Sequence, residues 1–160
     1  MIDAVHLSQR PATEDDIARL AELHVAGQEA VHGERGGELD TLLLGRSAPI
    51  ETSFADDLVD PASTVLVGQV DGLTVGYVVG RVSTLTNGDR LMTVADLFVD
   101  PDARGVGVGR LLLDQLVTAA EADHCRGIDA RALPGDRGTK NFVESFGLVA
   151  RSFEVHKDLR

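Results

Sequence analysis

Two dipeptides, Asp71-Gly72 and Asn87-Gly88, interrupt a stretch in which apolar and polar residues alternate, and no other feature restricts the fold as strongly. Both favour the positive φ angles that a tight hairpin turn requires. Val65, Val67 and Val70 lead into the first pair, Thr74 to Leu85 forms the return arm, and Leu91 to Val99 follows the second pair and stops at Asp100-Pro101. Three consecutive antiparallel strands are the expectation. Beyond them the period changes. Leu112, Leu116 and Ala119, with Leu113, Val117 and Ala120, draw an apolar stripe along a helix that runs to about Asp123.

The flanks read in the same way. Val5 to Arg10 alternates as a strand, and Thr13-Glu14-Asp15-Asp16 caps a helix that carries Ile17, Leu20, Ala21, Leu23 and His24 and ends within the glycine-rich stretch from Gly27 to Gly37. Short helices are expected over Glu38 to Gly45 and Ser53 to Val59. After the long helix come a buried strand over Gly127 to Leu133, a helix over Thr139 to Phe146 stopped by Gly147, and a last strand over Val149 to Val155.

At 160 residues the chain suits one compact domain spanning 1–160. Aromatic residues are 4% of it, which leaves no stacking surface for bases or sugars, and a net charge of -11 repels polyphosphate chains. Nucleic acid is not an expected partner. Lone Cys125 has no internal disulfide partner, and Met1 to His6 lacks a basic-then-apolar leader, so a reducing, cytoplasmic setting is expected. Apolar runs such as Leu111-Leu112-Leu113 fall far short of the ~20 residues of a membrane span. His6, His24, His32, His124 and His156 show no paired ligand spacing, and no metal is expected.

Between the third hairpin strand and the long helix lies Arg104-Gly105-Val106-Gly107-Val108-Gly109. Glycines there clear side chains from main-chain N–H groups that converge on an anion, and the helix dipole adds about half a positive charge. The same glycines also serve a tight strand-to-helix turn, and the pattern alone does not choose. A P-loop needs Gly-Lys-Ser/Thr, which is absent, and a dinucleotide fingerprint needs a third glycine where Leu112 stands.

This loop, following Leu97-Phe98-Val99-Asp100-Pro101, resembles the GNAT superfamily of N-acetyltransferases, whose acetyl-coenzyme A motif is Arg/Gln-x-x-Gly-x-Gly/Ala after a Val-x-Pro strand end. The element order is similar over nearly the whole chain. The resemblance implies a mixed α/β GNAT fold, with central antiparallel strands splayed beside a C-terminal parallel pairing and helices on both sides. It implies an acyltransferase that passes acetyl from acetyl-coenzyme A to a primary amine by direct attack. Amides from Val106 to Arg110, with Arg104, Gly105, Gly107, Val108 and Gly109, would hold the pyrophosphate, and Leu97, Phe98 and Val99 the pantetheine arm. A bulge near Asp96 would free an N–H for the thioester oxygen, and Asp96 is the carboxylate nearest to serve as base, although a structural role on the strand suits it equally.

Departures from the family pattern carry their own expectations. Where the family has Asn-x-x-Ala and Phe-Tyr-x-x-x-Gly-Phe, this chain has Asp136-Arg137-Gly138-Thr139 and Phe142-Val143-Glu144-Ser145-Phe146-Gly147-Leu148. Val143 replaces the tyrosine that protonates the departing thiolate, so that role passes to Ser145, to water or to nothing. Asp136, Arg137, Lys140 and Phe142 stand where the family meets the cofactor. Tyr77, the only tyrosine, reads as core or acceptor-site lining. After Gly147 there is room for one strand where the family usually has two, which leaves the acceptor cleft open to a peptide or completed by a second subunit of a homodimer. A non-catalytic acyl-coenzyme A binding domain is the competing reading. The acceptor itself is not legible.

Overall fold

The computed structural model describes residues 4–160; the first three, part of the start read for a leader, lie outside them. Five strands form one sheet in the order β1-β2-β3-β4-β5: β1 Leu7–Pro11, β2 Ser63–Val70, β3 Leu73–Thr84, β4 Arg90–Val99 and β5 Cys125–Asp129. The first three pairings are antiparallel and β4–β5 is parallel. The helices are α1 Ile17–His32, α2 Gly37–Leu44, α3 Ile50–Val59, α4 Val108–Ala122 and α5 Arg137–Glu144. The expected mixed sheet with its parallel pairing is the observed one.

The two hairpin signals act differently. Asp71 (φ 49°) and Gly72 (φ 82°) both take positive φ, the two-residue turn foreseen for that pair. Asn87-Gly88 does not close a two-residue turn. The chain bends over Leu85 to Asp89, Gly88 alone takes positive φ, and the Asn87 side-chain oxygen accepts the Asp89 N–H at 3.1 Å.

Strand alternation sends side chains to two faces, each covered by helices. Met92 and Val94 of β4 and Leu66 and Val78 meet Leu112, Leu113 and Leu116 of α4 in one core. Val65, Val67, Tyr77 and Val79 meet Leu20 and Leu23 of α1 and Phe54 of α3 in the other. α1 continues straight through Gly27, because Gly27 is the point of contact with β4: a Cβ there would lie 3.1 Å from the Phe98 ring. The helix ends at His32, inside the glycine-rich stretch where its end is expected, and Gly27 within it is a packing position.

Two expected strands are corrected. The strand expected over Gly127 to Leu133 runs instead over Cys125–Asp129, since α4 stops at Ala122 and His124 (φ 55°) turns the chain sharply into the sheet. No strand forms over Val149 to Val155. That segment keeps its alternation but finds no ladder partner, and Phe153 and Val155 stay exposed. It is tethered by side-chain ion pairs from Arg151 to Asp129 and from Glu154 to Arg131. A strand needs a neighbouring edge as much as a pattern.

Leu116 is fully buried at the centre of the α4 face. Leu116→Ala is expected to lower the unfolding free energy by about 2–5 kcal/mol in urea titration; a loss below about 1 kcal/mol would show that this face collapses freely around the deletion.

Candidate active site

β4 and β5 part company early. Their parallel register covers Arg90, Met92 and Thr93 of β4 only, against Cys125, Ile128 and Asp129. From Val94 onward the β5 side of β4 is an open edge. On the other side, β3 pairs with β4 through to Val99, with one slip: Val79 faces Asp96 and Gly80 faces Val94, so Ala95 is an extra residue. This is a β-bulge, and it bends β4 away at the point where the splay begins.

The register also fixes which main-chain groups face the cleft. The Asp100 N–H donates to the Val75 carbonyl at 2.8 Å, with Gly76 opposite Val99 and Tyr77 opposite Phe98. By alternation, Phe98 spends its main-chain groups on β3, whereas Leu97 and Val99 turn theirs to the open edge. The Val99 carbonyl accordingly accepts a bond from Arg104 Nε at 2.9 Å.

At the end of that edge lies the glycine loop. Gly105 (φ 81°) and Gly107 (φ 108°) occupy left-handed conformations that side chains resist, and Gly107 is the cap of α4. No side chain caps this helix. The first bond of the helix is Leu111 N–H to the Gly107 carbonyl, and among the described residues no protein acceptor engages the main-chain N–H groups of residues 105 to 110. Unpaired donors at a helix N-terminus form an anion site. Val106 is exposed and Val108 buried, so the loop is anchored by one valine and presents the other to solvent.

The remaining candidates separate into two layers. On the α4 side, Arg110 donates to Ser145 Oγ at 3.2 Å, and that hydroxyl donates its own proton to the Phe142 carbonyl. Phe142 lies against Gly109, where a Cβ would approach its ring at 3.5 Å. Asp136 caps α5, accepting the Thr139 N–H at 2.9 Å and the Thr139 hydroxyl at 2.6 Å, so its side chain serves the helix. Lys140 pairs loosely with Glu144 at 3.8 Å and remains mostly exposed.

Asp96 belongs to the opposite layer. Its Oδ2 accepts Arg46 Nε at 3.0 Å and Nη2 at 2.7 Å. Arg46, from the α2–α3 loop, also gives Nη1 to Asp57 Oδ2 at 2.6 Å and to Ser53 Oγ at 3.0 Å, and its guanidinium stacks 3.7 Å above the Phe54 ring. Its side chain is only 3% exposed. Arg81 of β3 holds the other side of Asp57 at 2.9 Å. His24 of α1, equally buried, places Nδ1 3.1 Å from the Tyr77 hydroxyl and 3.8 Å from Asp96 Oδ1. The structure therefore does not bring Asp96 and Ser145 together; they lie on opposite sides of the sheet.

His24, which shows no paired spacing in sequence, and Tyr77, which reads as core or acceptor-site lining, thus form one buried polar cluster with Asp96. Arg46 had a signal: it is the one basic residue between Arg35 and Arg81, in a stretch carrying seven acids. Burial, reinforced by the Arg46 charge and opposed by Asp96, lowers the His24 pKa below its ordinary 6.5. Burial first, then Asp96, pushes the Tyr77 hydroxyl up, so it stays protonated. For Asp57 burial is the largest single influence and acts upward, but Arg81 and Arg46 together outweigh it and hold the carboxyl low. Burial likewise pushes the Cys125 thiol up, in keeping with an inert residue. Among the described residues no group of three or more His, Cys, Asp or Glu side chains is placed to hold a metal, and no helix is long and apolar enough to cross a membrane.

These shifts fix a pH dependence. A histidine that stays neutral when folded protonates first in the unfolded chain, so stability falls as pH drops below about 6.5 and levels off once the folded His24 also protonates. Asp16, held low chiefly by its bidentate bonds from Arg10, and Asp57 contribute stability that is full above the ordinary carboxylate range and is lost as pH falls through their lowered values. Urea titrations from pH 7.5 to 3 are expected to show both declines. His24→Gln should remove the first and keep the second; persistence of the first would assign it elsewhere.

The chain matches the acetyltransferase (GNAT) family model over residues 37–148. A search of curated proteins finds no match. Among solved structures, it is similar to a tetramutant of the BH1408 protein from Bacillus halodurans (24% identity, TM-score 0.77, 95% of this chain and 99% of that one). It is also similar to an acetyltransferase from Trypanosoma brucei (20%, 0.69, 96% and 100%). A third is an aminoglycoside acetyltransferase from an uncultured soil metagenomic sample, in complex with sisomicin (17%, 0.72, 96% and 95%). At these identities the structures speak for the fold, while the family match spans well over half the chain. A splayed β4 edge that runs into a glycine-capped helix, on a chain matched from residue 37 to residue 148, makes this protein a member of the GNAT acetyltransferase family.

Proposed function

We propose that this protein is an acetyl-coenzyme A dependent N-acetyltransferase acting on a primary amine, with residues 1–160 working as one domain in a reducing cytoplasm. The observation that carries the reading is the set of free main-chain donors from 105 to 110 at the end of an open β4 edge. Charge-assisted bonds from such donors contribute roughly 1.5–3 kcal/mol each. Several of them outweigh a diffuse repulsion from a net charge of -11, because that charge is spread over the surface and screened.

In this reading the amides of Val106 to Arg110 hold the diphosphate, and Gly105, which has open space before it, lets the ligand approach the backbone. The outward groups of Leu97 and Val99 bond the pantetheine amides as an added strand would. The bulge at Ala95 offers its main chain to the thioester oxygen, where a donor stabilises developing negative charge. Acetyl-coenzyme A supplies an activated acetyl group as a thioester. A neutral amine attacks it, Asp96 takes the amine proton, and thiol leaves. Asp136 contributes by fixing α5 rather than by touching the ligand, and Lys140, with its exposed ammonium, remains free for a ribose phosphate.

Ser145 supports less than its position suggests, since its proton is spent on the Phe142 carbonyl. Thiolate protonation then falls to water, which suits a thiol of ordinary pKa ~8.5. That same observation favours the second reading, a binding domain without turnover. Proteins of similar fold are named aminoglycoside acetyltransferase and ribosomal-protein-alanine N-acetyltransferase, and amines of both kinds belong in a panel of candidates. Exposed Leu42 and Leu43 on α2, and exposed Phe153 and Val155 in the C-terminal segment, support a homodimer as the working assembly.

Incubation with acetyl-coenzyme A and a panel of aminoglycosides, polyamines and peptide N-termini is expected to release free thiol with at least one amine. Tight binding with no thiol from any amine would favour the binding domain. Gly107→Glu, which puts a carboxylate into the anion site at a φ of 108°, is expected to abolish acetyl-coenzyme A binding in calorimetry, and undiminished affinity would remove the loop from the site. Val143→Tyr restores a phenol at a half-buried position of α5. A rise in kcat of about tenfold or more is expected if thiolate protonation limits turnover, and an unchanged kcat would exclude that limit.

A further inference from the structure

Asp96 is an unusual candidate base because only half of its carboxylate is engaged. Arg46 directs two N–H groups at the same oxygen, Oδ2, while Oδ1 accepts no hydrogen bond among the described residues. A carboxylate at the foot of a flexible side chain normally exchanges its oxygens by rotation about χ2, a soft torsion. Here the plane of the carboxylate is set, because the guanidinium that grips one oxygen is itself fixed on three other sides, so whichever oxygen is left faces the same direction. Asp57 and Ser53 hold Nη1, and the Phe54 ring supports the guanidinium plane. The Asp57 carboxylate is fixed in turn by Arg81.

We propose that Arg46 is a positioning residue for acetyl transfer: by clamping Oδ2 it presents Oδ1 of Asp96, one residue beyond the Ala95 bulge, as the oxygen that receives the acceptor's proton. The proposal rests on the acetyltransferase reading above and adds a residue to it. As the amine nitrogen bonds to the acetyl carbon, its N–H proton passes to Oδ1; the C–S electron pair leaves with sulfur, and the thiolate takes a proton from water while Asp96 returns its own to solvent. Atoms and charge balance over the turnover, with no further reactant. Arg46 touches none of the reacting atoms.

The fork geometry matters. A lysine ammonium is a point charge on a flexible stem and does not hold Asp96 and Asp57 together while stacking on Phe54. The groups that face Asp96 and Arg46 are His24 from α1, Asp57 and Ser53 from α3, Tyr77 and Arg81 from β3; His24 is neutral near pH 7 and Tyr77 protonated, so Arg46 is the cation in contact with Asp96.

The test is a double-mutant cycle between Arg46→Met and Asp96→Asn, read by thiol release with an amine that the unmodified protein accepts. Asp96→Asn is expected to lower kcat about 100-fold, Arg46→Met about 10- to 100-fold, and the double variant no further than Asp96→Asn alone. The KM for acetyl-coenzyme A should stay within about twofold in all three, since the phosphate loop lies on the other side of the sheet. Equal losses from Arg46→Met in both backgrounds, or a loss carried by KM rather than kcat, would overturn the proposal and leave Arg46 a structural residue. Arg46→Met strands two buried carboxylates, so Arg46→Lys serves if it does not fold: a loss of about tenfold in kcat at unchanged KM supports the clamp, and turnover equal to the unmodified protein ends it. A protein that releases no thiol with any amine fails the acetyltransferase reading instead, before any variant is made.

Discussion

The whole site depends on the short reach of the β4–β5 ladder. Parallel strands that stayed paired to their ends would bury the main chain of Leu97 and Val99, and the sheet would present no internal edge. One extra residue at Ala95 changes that outcome. It bends β4 just past the last residue that β5 can follow, and the open edge created there leads straight to the glycine loop. An edge left open in the middle of a sheet exposes unpaired N–H and C=O groups that a bound strand-like segment would satisfy.

Local donors and overall charge pull in different directions. The chain carries 26 acids against 15 Lys and Arg, yet the first turn of α4 offers free N–H groups and no carboxylate. Its neighbouring cations are turned inward. Arg104 bonds the Val99 carbonyl and Arg110 the Ser145 hydroxyl, so each stiffens the walls around the free N–H groups. Short-range, oriented donors outweigh the field of the distant acids there, which is screened within about 10 Å.

On the other side of the sheet, ions replace apolar packing. Arg46, Asp57 and Asp96 share one buried ionic cluster that Arg81 closes from the surface, with His24 and Tyr77 beside them. Such a cluster is a weak source of stability, because desolvation offsets most of the attraction. What it supplies is direction. Each carboxylate oxygen has an assigned partner except Asp96 Oδ1, and the helices α1 and α3 are fixed relative to β4 by bonds with angular preferences that methyl groups lack.

Sequence determined the parts whose information is local. Alternation gave β2, β3 and β4 nearly to their ends, positive-φ residues placed the Asp71-Gly72 turn, the apolar stripe set α4, and glycine spacing marked the turn that opens it. Tertiary structure decided everything that needs a partner distant along the chain. That Gly27 packs closely on the Phe98 ring is invisible along the chain; the alternation of Val149 to Val155 reads as a strand until no edge is found for it. Asp96 and Arg46 lie 50 residues apart, and no periodicity encodes their meeting. Backbone preference is written in neighbours of three or four residues, whereas the protonation state and orientation of a side chain are set by whatever charge the fold brings beside it.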